Sequence, residues 1–273
     1  MTRDPMAVDT GGPACETAPM LDAIRRVADA ISCATALVVT TGRGLSPDGL
    51  VVESANDLRA DPARAWGAFA RRRDAMRLAP RISGVGHLAR WAEATKDGAF
   101  AMTTAVDGHL QRGHFRADRV VELDGAIEWV QCARRCGAPV SPGGTIDVRV
   151  EAETGLALEP LPSCLACGGL ARPNVRLRGD EAWDDARTAE QETAMNEWLA
   201  VARARTGRRV VVIECGVDDA ELRARGERIA AATGGLFVRV NERDAGGRRE
   251  DVSVEAQVIE ALDAMEVALR GGG

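Results

Sequence analysis

Four cysteines near the middle of the chain have the type and spacing of metal ligands. Three residues separate Cys132 from Cys136, two separate Cys164 from Cys167, and 27 residues lie between the pairs. Each pair can reach adjacent corners of a tetrahedron, and the glycines that follow both pairs allow the tight turns this requires. Because four thiolates favour Zn²⁺ and leave no open coordination position, we expect a structural zinc site. The alternative is four unrelated buried cysteines.

A glycine turn is the second candidate for chemistry. The stretch TTGRGLS, residues 40–46, follows a short apolar, β-branched run that is typical of a strand. If the turn opens a helix, its unpaired backbone N–H groups are suited to bind phosphate. The stretch lacks a complete GxGxxG pattern, so a plain structural turn is the alternative interpretation.

The elements that must position these residues predict an α/β fold. Helical periodicity alternates with short apolar runs, which implies a mainly parallel, doubly wound sheet with helices on both faces. Residues 132–173 differ, since they carry four cysteines, many prolines and glycines and little periodicity. We therefore predict one sheet domain formed by 18–131 and 174–273, a small zinc-binding module at 132–173, and a disordered arm at 1–17. The last helix is predicted over about 253–269, with Val254 on its inner face.

Composition excludes several classes of function. The 273 residues carry a net charge of −6, which argues against a general nucleic-acid surface. The short basic run Arg71–Arg73 is interpreted as a solvated helix face. The first twenty residues lack the apolar stretch of a signal peptide, and no segment approaches the ~18 apolar residues of a membrane span. We therefore expect a cytoplasmic protein without a membrane or nucleic-acid partner.

Several motifs, taken in order, resemble the sirtuin family. The chain reads TGRGLS at 41–46, TTAVDGHLQRG at 103–113, VVELDG at 120–125 and CGGLARPNVRLRGD at 167–180. The corresponding family patterns are TGAGIS, TQN-[IV]-DGLHQRAG, VIELHG and GG-x-[LI]RPxVVxFGE. The resemblance covers about residues 36–269. It implies a Rossmann-like NAD-binding domain, a small zinc module and NAD-dependent removal of acyl groups from lysines of a protein or peptide.

The resemblance also implies roles for single residues. Gly42, Gly44 and Ser46 match the family's phosphate loop. Asp107 matches the acidic residue that contacts the nicotinamide carboxamide, and Asn241 matches the asparagine near the adenosine ribose. Cys132, Cys136, Cys164 and Cys167 match the family's zinc ligands.

The departures from the family pattern fall on its chemistry. Asp124 stands where the family has its catalytic histidine, and an aspartate is a weaker base by about 2.6 pKa units. Thr104 and Ala105 replace the QN pair. Further substitutions place Arg43 in the phosphate loop, Glu214 in the family's GTS motif and Arg178 where a phenylalanine walls the acyl channel. We therefore expect a sirtuin-like protein with weak or absent deacylase activity.

Three interpretations of Asp124 remain open. It is a favourable turn residue before glycine, an inactive replacement for the histidine, or a working carboxylate. In the last case Asp124 and Asp107 would stabilise an oxocarbenium-like state, as paired carboxylates do in glycoside cleavage. That chemistry suits an NAD glycohydrolase or ADP-ribosyltransferase. A module that binds NAD, ADP-ribose or a protein without turnover is the non-enzymatic alternative. For His109, a surface or helix-start role is favoured over catalysis.

Overall fold

The computed structural model describes residues 18–45, 54–246 and 251–271. The arm predicted at 1–17 and the candidate Ser46 lie outside these ranges. The helices are α1 Ala18–Ser32, α2 Ala55–Ala60, α3 Pro62–Leu78, α4 Ser83–Ala94, α5 His109–Arg112, α6 Ala186–Ala204, α7 Ala220–Thr233 and α8 Val258–Gly271. The strands are β1 Ala36–Thr41, β2 Ala99–Thr103, β3 Val120–Glu122, β4 Gly125–Cys132, β5 Ser141–Pro142, β6 Ala171–Val175, β7 Val210–Cys215, β8 Leu236–Val240 and β9 Val252–Val254.

The larger sheet is doubly wound, as the sequence predicts. Its six strands are parallel in the order β3-β2-β1-β7-β8-β9. Every residue of β1 and β7 is buried, because α1, α4 and α8 cover one face while α6 and α7 cover the other. The strand order reverses between β1 and β7, so the crevice for a ligand is expected at the carboxyl ends of these two strands.

A smaller antiparallel sheet lies beside the edge strand β3. Its order is β5-β4-β6, and helices α2 and α3 pack against it through a separate apolar cluster. The indole N–H of Trp66 in α3 donates to the Ala171 carbonyl at 2.9 Å, which fixes the helix on β6. Strand β4 begins at Gly125, before the 132–173 segment, and β6 ends at Val175, after it, so the sheet that carries the cysteines extends beyond that segment on both sides.

Two local predictions are wrong. The last helix begins at Val258, and Val254 lies in β9, where buried Val252 and Val254 flank exposed Ser253. This alternation is the strand period of two. The basic run is not simply a solvated helix face either, because Arg73 is buried. Its guanidinium donates to the carbonyls of Gly143 and Ile146 and thereby ties α3 to the loop after β5.

None of the helices in the described ranges is both long enough and apolar enough to cross a bilayer.

Candidate functional site

The four candidate zinc ligands converge. All four Sγ atoms lie within 4.8 Å of one another. The Cys132–Cys167 and Cys136–Cys164 Sγ distances are both 3.7 Å, too long for disulfides. With Zn–S bonds of about 2.3 Å, the edges of a regular tetrahedron measure about 3.8 Å, so the donor set fits Zn²⁺.

The backbone around the cysteines suits thiolate ligands. The first pair has one more residue than the CxxC spacing, and Arg135 takes a left-handed conformation (φ 50°) in that loop. Hydrogen bonds from the Gly169 backbone and from Arg134 lower the pKa of Cys167 to about 6. Because metal ligation requires the thiolate, this local field favours the binding form of Cys167. At Cys136 a backbone hydrogen bond from Ala138 is outweighed by hydrogen bonding with the neighbouring thiols, which raises its pKa to about 11.

The glycine turn after β1 packs directly against the loop after β7. Gly42 N donates to the Cys215 carbonyl at 3.3 Å, and Gly44 N donates to the Gly216 carbonyl at 3.1 Å. A Cβ on Gly42 or Gly44 would lie 2.7 or 2.8 Å from the Gly216 oxygen, so both positions require glycine for this contact alone. The N–H groups named as phosphate ligands are therefore already used within the protein.

Glu214, which stands in the position of the family's GTS motif, is fully buried near the end of β7. Its Oε1 lies 3.2 Å from Arg223 Nε and 3.1 Å from Arg239 Nε. Burial raises the pKa of Glu214, and the two arginines oppose that effect. The carboxylate is thus paired inside the protein, and two guanidinium groups offset its charge.

Asn241 follows β8 and organises its own loop. Its Nδ2 donates to the Val217 carbonyl at 3.2 Å, and its Oδ1 accepts from the backbone N–H groups of Arg243 and Asp244. Gly42, Gly44 and Asn241 therefore meet the same segment, residues 215–217, at the carboxyl edge of the sheet.

Asp107 is buried beyond the end of β2. Its Oδ1 accepts from His109 N at 3.1 Å and contacts Nδ1 of the His109 imidazole. His109 is the first residue of α5, in agreement with a helix-start role, but it is only 4% exposed and not on the surface. Its Nε2 has no hydrogen-bond partner among the described residues. The sequence signal for this pair was the two-residue spacing, which allows an aspartate to cap the following turn.

Asp124 follows β3 and lines an open cleft of about 220 Å³. Its Oδ1 lies 3.9 Å from Arg176 NH1, and its carbonyl accepts from Arg176 N at 2.9 Å. Thr104 and Trp183 line the same cleft, and the Arg176 guanidinium lies 5.7 Å from the centre of the Trp183 ring. Sequence reasoning missed Arg176 and Trp183. The signal for Arg176 was a charged residue at the second valine of the VVxFGE pattern.

The loop that carries Arg176 is held by a buried ion pair. Arg172 and Asp180 make two parallel contacts, NH1–Oδ1 at 2.9 Å and NH2–Oδ2 at 2.5 Å. Arg178, expected in the wall of an acyl channel, is exposed, and its backbone pairs with Ser54 and Ala55 at the start of α2.

The two candidate carboxylates line different cavities. Asp124 belongs to the cleft between the loop after β6 and the start of α7. Asp107 lines a second cavity, of about 480 Å³, together with Glu122, Trp129 and Arg187. Asp124 and Asp107 therefore do not face each other across one cavity.

Comparison with curated proteins finds relatives of one kind, although no protein-family model matches the chain. The chain is 30% identical over 176 residues to NAD-dependent protein deacylase 2 of Pseudomonas aeruginosa, which covers 56% of this chain and 64% of that protein. It is 30% identical over 160 residues to the NAD-dependent protein deacylase of Methylococcus capsulatus. That match covers 56% of this chain and 58% of the relative. It thus spans about three fifths of these two relatives. The match to the protein of the same name from Pseudomonas putida has 26% identity over 243 residues. It covers 82% of this chain and 85% of that protein.

Solved structures give the same fold. A Sir2 homologue in complex with ADP-ribose matches with a TM-score of 0.66 at 18% identity, covering 90% of this chain and 96% of that one. Sir2Af2 bound to a myristoylated histone peptide matches with a TM-score of 0.59 at 20% identity. The match covers 92% of this chain and 98% of Sir2Af2. At these identities the likeness shows the fold alone.

Proposed function

We propose that this chain is a divergent member of the sirtuin family with weak or absent deacylase activity. In this proposal the α/β fold and the four-cysteine site are kept, while the group that acts as general base in the family is lost. The proposal concerns NAD as cofactor and an acylated protein or peptide as the substrate class.

The observation that carries the proposal is the carboxylate of Asp124 in the cleft at the end of β3. The sequence aligns it with the family's histidine, and reference pKa values of about 6.5 for histidine and 3.9 for aspartate make it a poorer proton acceptor. Its side chain is also shorter, and an arginine side chain lies 3.9 Å away. A positioned general base contributes typically about 10²- to 10⁴-fold to rate, and we expect a loss of that order.

Weak NAD binding is the second part of the proposal. The cofactor's phosphates belong near Gly42 and Gly44, its adenosine ribose near Asn241 and its carboxamide near Asp107. The backbone donors of both glycines and the amide of Asn241 already make internal hydrogen bonds, and Asp107 is paired with His109. A ligand must compete with these contacts, so we expect an affinity below that of a sirtuin whose donors are unpaired.

The four cysteines support the metal part of the proposal. Their sulfur geometry suits Zn²⁺, and a closed four-thiolate site is structural because no coordination position is left for a substrate. When bound, the ion would cross-link β4 to the end of the 132–173 segment and stiffen the small sheet beside the cleft.

The cleft itself supports an extended peptide as the substrate class. One neighbour of this fold was solved with a myristoylated histone peptide and another with a propionylated peptide. The Asp124 cleft is open, and the loops after β6 and before α7 line it, where we expect the peptide to bind.

Calorimetric titration with NAD and ADP-ribose, followed by a nicotinamide-release assay with and without an acylated peptide, tests this proposal. We expect weak binding and little release under both conditions. Rapid release that requires the peptide would refute the loss of deacylation. Rapid release without peptide would instead identify an NAD glycohydrolase. Tight binding of ADP-ribose without release would identify a binding module.

A further inference from the structure

The cleft beside Asp124 carries more negative than positive charge. Five carboxylates from the end of β3 and the first turns of α6 and α7 line it, namely Asp124, Asp185, Glu192, Asp219 and Glu221. Two guanidinium groups line it as well, those of Arg176 and Arg225. Five negative and two positive groups give the described residues of the cleft a net charge of −3.

Both arginines of the cleft already lie beside its carboxylates. Arg225 contacts Glu192, and its NH2 lies 3.2 Å from Glu221 Oε1. Arg176 NH1 lies 3.9 Å from Asp124 Oδ1. A ligand that approaches the cleft therefore meets arginines whose charge is offset within the protein, together with the excess of negative charge.

The starts of two helices reduce this negative charge only in part. Asp219 caps α7 and accepts from Leu222 N at 2.7 Å, whereas Asp185 stands at the start of α6 without a side-chain cap hydrogen bond. Each helix start carries about half a positive elementary charge, so the two together supply about one. The balance of the cleft remains negative.

The carboxylates are accessible and dispersed. Asp185 and Asp219 are exposed, and the side chains of Asp124, Glu192 and Glu221 are 36%, 37% and 72% exposed. Within the described ranges, the four cysteines are the only group of three or more metal-donor side chains close enough together to hold one ion. Dispersed negative charge of this kind suits several separate positive charges on a flexible chain rather than a single divalent cation.

An acylated lysine supplies none of these positive charges, because acylation removes the charge of the ammonium group. In a peptide the positive charges must therefore come from residues on either side of the acyl-lysine. An extended chain advances about 3.3 Å per residue, so long basic side chains from several positions can approach carboxylates that belong to three separate elements.

We propose that the Asp124 cleft selects acylated peptides in which arginine or lysine residues flank the acyl-lysine. This inference rests on the function proposed above, in which the same cleft holds an acylated peptide. Asp185, Asp219 and Glu221 attract the flanking basic side chains, and an acidic segment is repelled. The selection acts on affinity and on the rate of association, not on the chemical step.

Fluorescence anisotropy with three labelled peptides of equal length tests this inference. Each peptide carries one acetyl-lysine, flanked on both sides by two arginines, two serines or two glutamates. In about 20 mM salt the arginine peptide should bind about tenfold more tightly than the serine peptide, the gain expected from two exposed ion contacts, and the glutamate peptide should bind most weakly. In about 500 mM salt the Debye length falls to about 4 Å, so the difference should shrink to about twofold.

Variants of the cleft locate the effect. Asp185→Asn removes a charge without removing a helix cap, and it should weaken binding of the arginine peptide by about threefold while the serine peptide binds as before. Combining it with Glu221→Gln should bring the loss to about tenfold. Asp22→Asn is the matched control, because Asp22 is an exposed aspartate of α1, on the opposite face of the parallel sheet. Thermal unfolding curves check that each variant is folded.

The outcomes separate this inference from the function on which it rests. Equal affinities of the wild-type protein for the arginine and serine peptides overturn the inference alone and leave the acylated peptide as substrate class. Absence of binding by all three peptides overturns the peptide substrate and the inference together. A preference for arginine that the cleft variants keep in full, or that Asp22→Asn reduces equally, overturns the assignment to this cleft.

Discussion

The loss of one partner from the buried ion pair between Arg172 and Asp180 should destabilise the fold strongly. The side chains are 2% and 0% exposed, and the two contacts are bidentate. Asp180 also accepts from the backbone N–H groups of Leu177 and Ala182. Burial opposes ionisation of this carboxyl, but the Arg172 guanidinium outweighs it and the pKa of Asp180 is lowered, so the pair is charged at neutral pH.

Replacing Asp180 with asparagine removes the negative charge and leaves the positive one buried. Breaking a buried pair in this way typically costs about 3–5 kcal/mol. The amide still accepts one hydrogen bond, and Arg172 keeps its hydrogen bond to the Val175 carbonyl. We therefore expect the free energy of unfolding to fall by about 3 kcal/mol, at the lower end of that range. That is a large part of the free energy of unfolding of a folded domain, which is typically about 5–15 kcal/mol.

Guanidinium chloride unfolding, followed by tryptophan fluorescence, measures this loss. The matched control is Asp118→Asn, since Asp118 pairs with Arg116 at the surface with both side chains more than 60% exposed. Exposed pairs are worth about 0–1 kcal/mol, so the control should unfold almost as the wild type does. Equal midpoints for Asp180→Asn and wild type would refute the reasoning, and so would an equally large loss in the control.

Two further predictions concern the metal and pH. Metal analysis of the purified protein should find about one Zn²⁺ per chain, and Cys136→Ser should lower both the zinc content and the melting temperature, whereas Cys33→Ser, at an exposed free cysteine, should change neither. Zinc-free protein that melts at the same temperature would contradict the structural role. Burial opposes ionisation of Glu266, but hydrogen bonds from Trp91, Arg90 and Arg270 lower its pKa to about 2, from 4.5 in the unfolded chain. A depressed pKa stabilises the fold above the unfolded value, so this contribution, at most about 3 kcal/mol, should fade as pH falls from about 4.5 towards 2. The stability difference between wild type and Glu266→Gln, measured by urea unfolding across that range, should shrink accordingly, and a difference that does not change with pH would refute the assignment.

The sequence predicted the larger sheet because its strands are apolar on both faces and alternate with helices. It placed the basic run Arg71–Arg73 on a helix but missed the buried face of α3, which includes Arg73, Trp66 and Phe69, since a charged residue inside a helix pattern hides the inner face. It misassigned Val254, because β9 is only three residues long and lies close to α8.

Side-chain partners were less predictable than elements. The zinc cysteines converge as their spacing indicates, because short spacings constrain local geometry. Glu214 illustrates the opposite case, since its partners Arg223 and Arg239 come from α7 and β8 and meet it only in the folded chain. The same holds for Asp124 and Arg176, which are distant in sequence and come together at the ends of β3 and β6.

The central claim is that the fold persists while the proton acceptor at position 124 does not serve deacylation. The most direct measurement is NAD-dependent deacylation of an acylated peptide by the wild-type protein and by Asp124→Ala. We expect a wild-type rate at least about 10²-fold below that of a sirtuin with histidine at this position, and no further fall on the change to alanine. A fast wild-type reaction that Asp124→Ala abolishes would contradict the account.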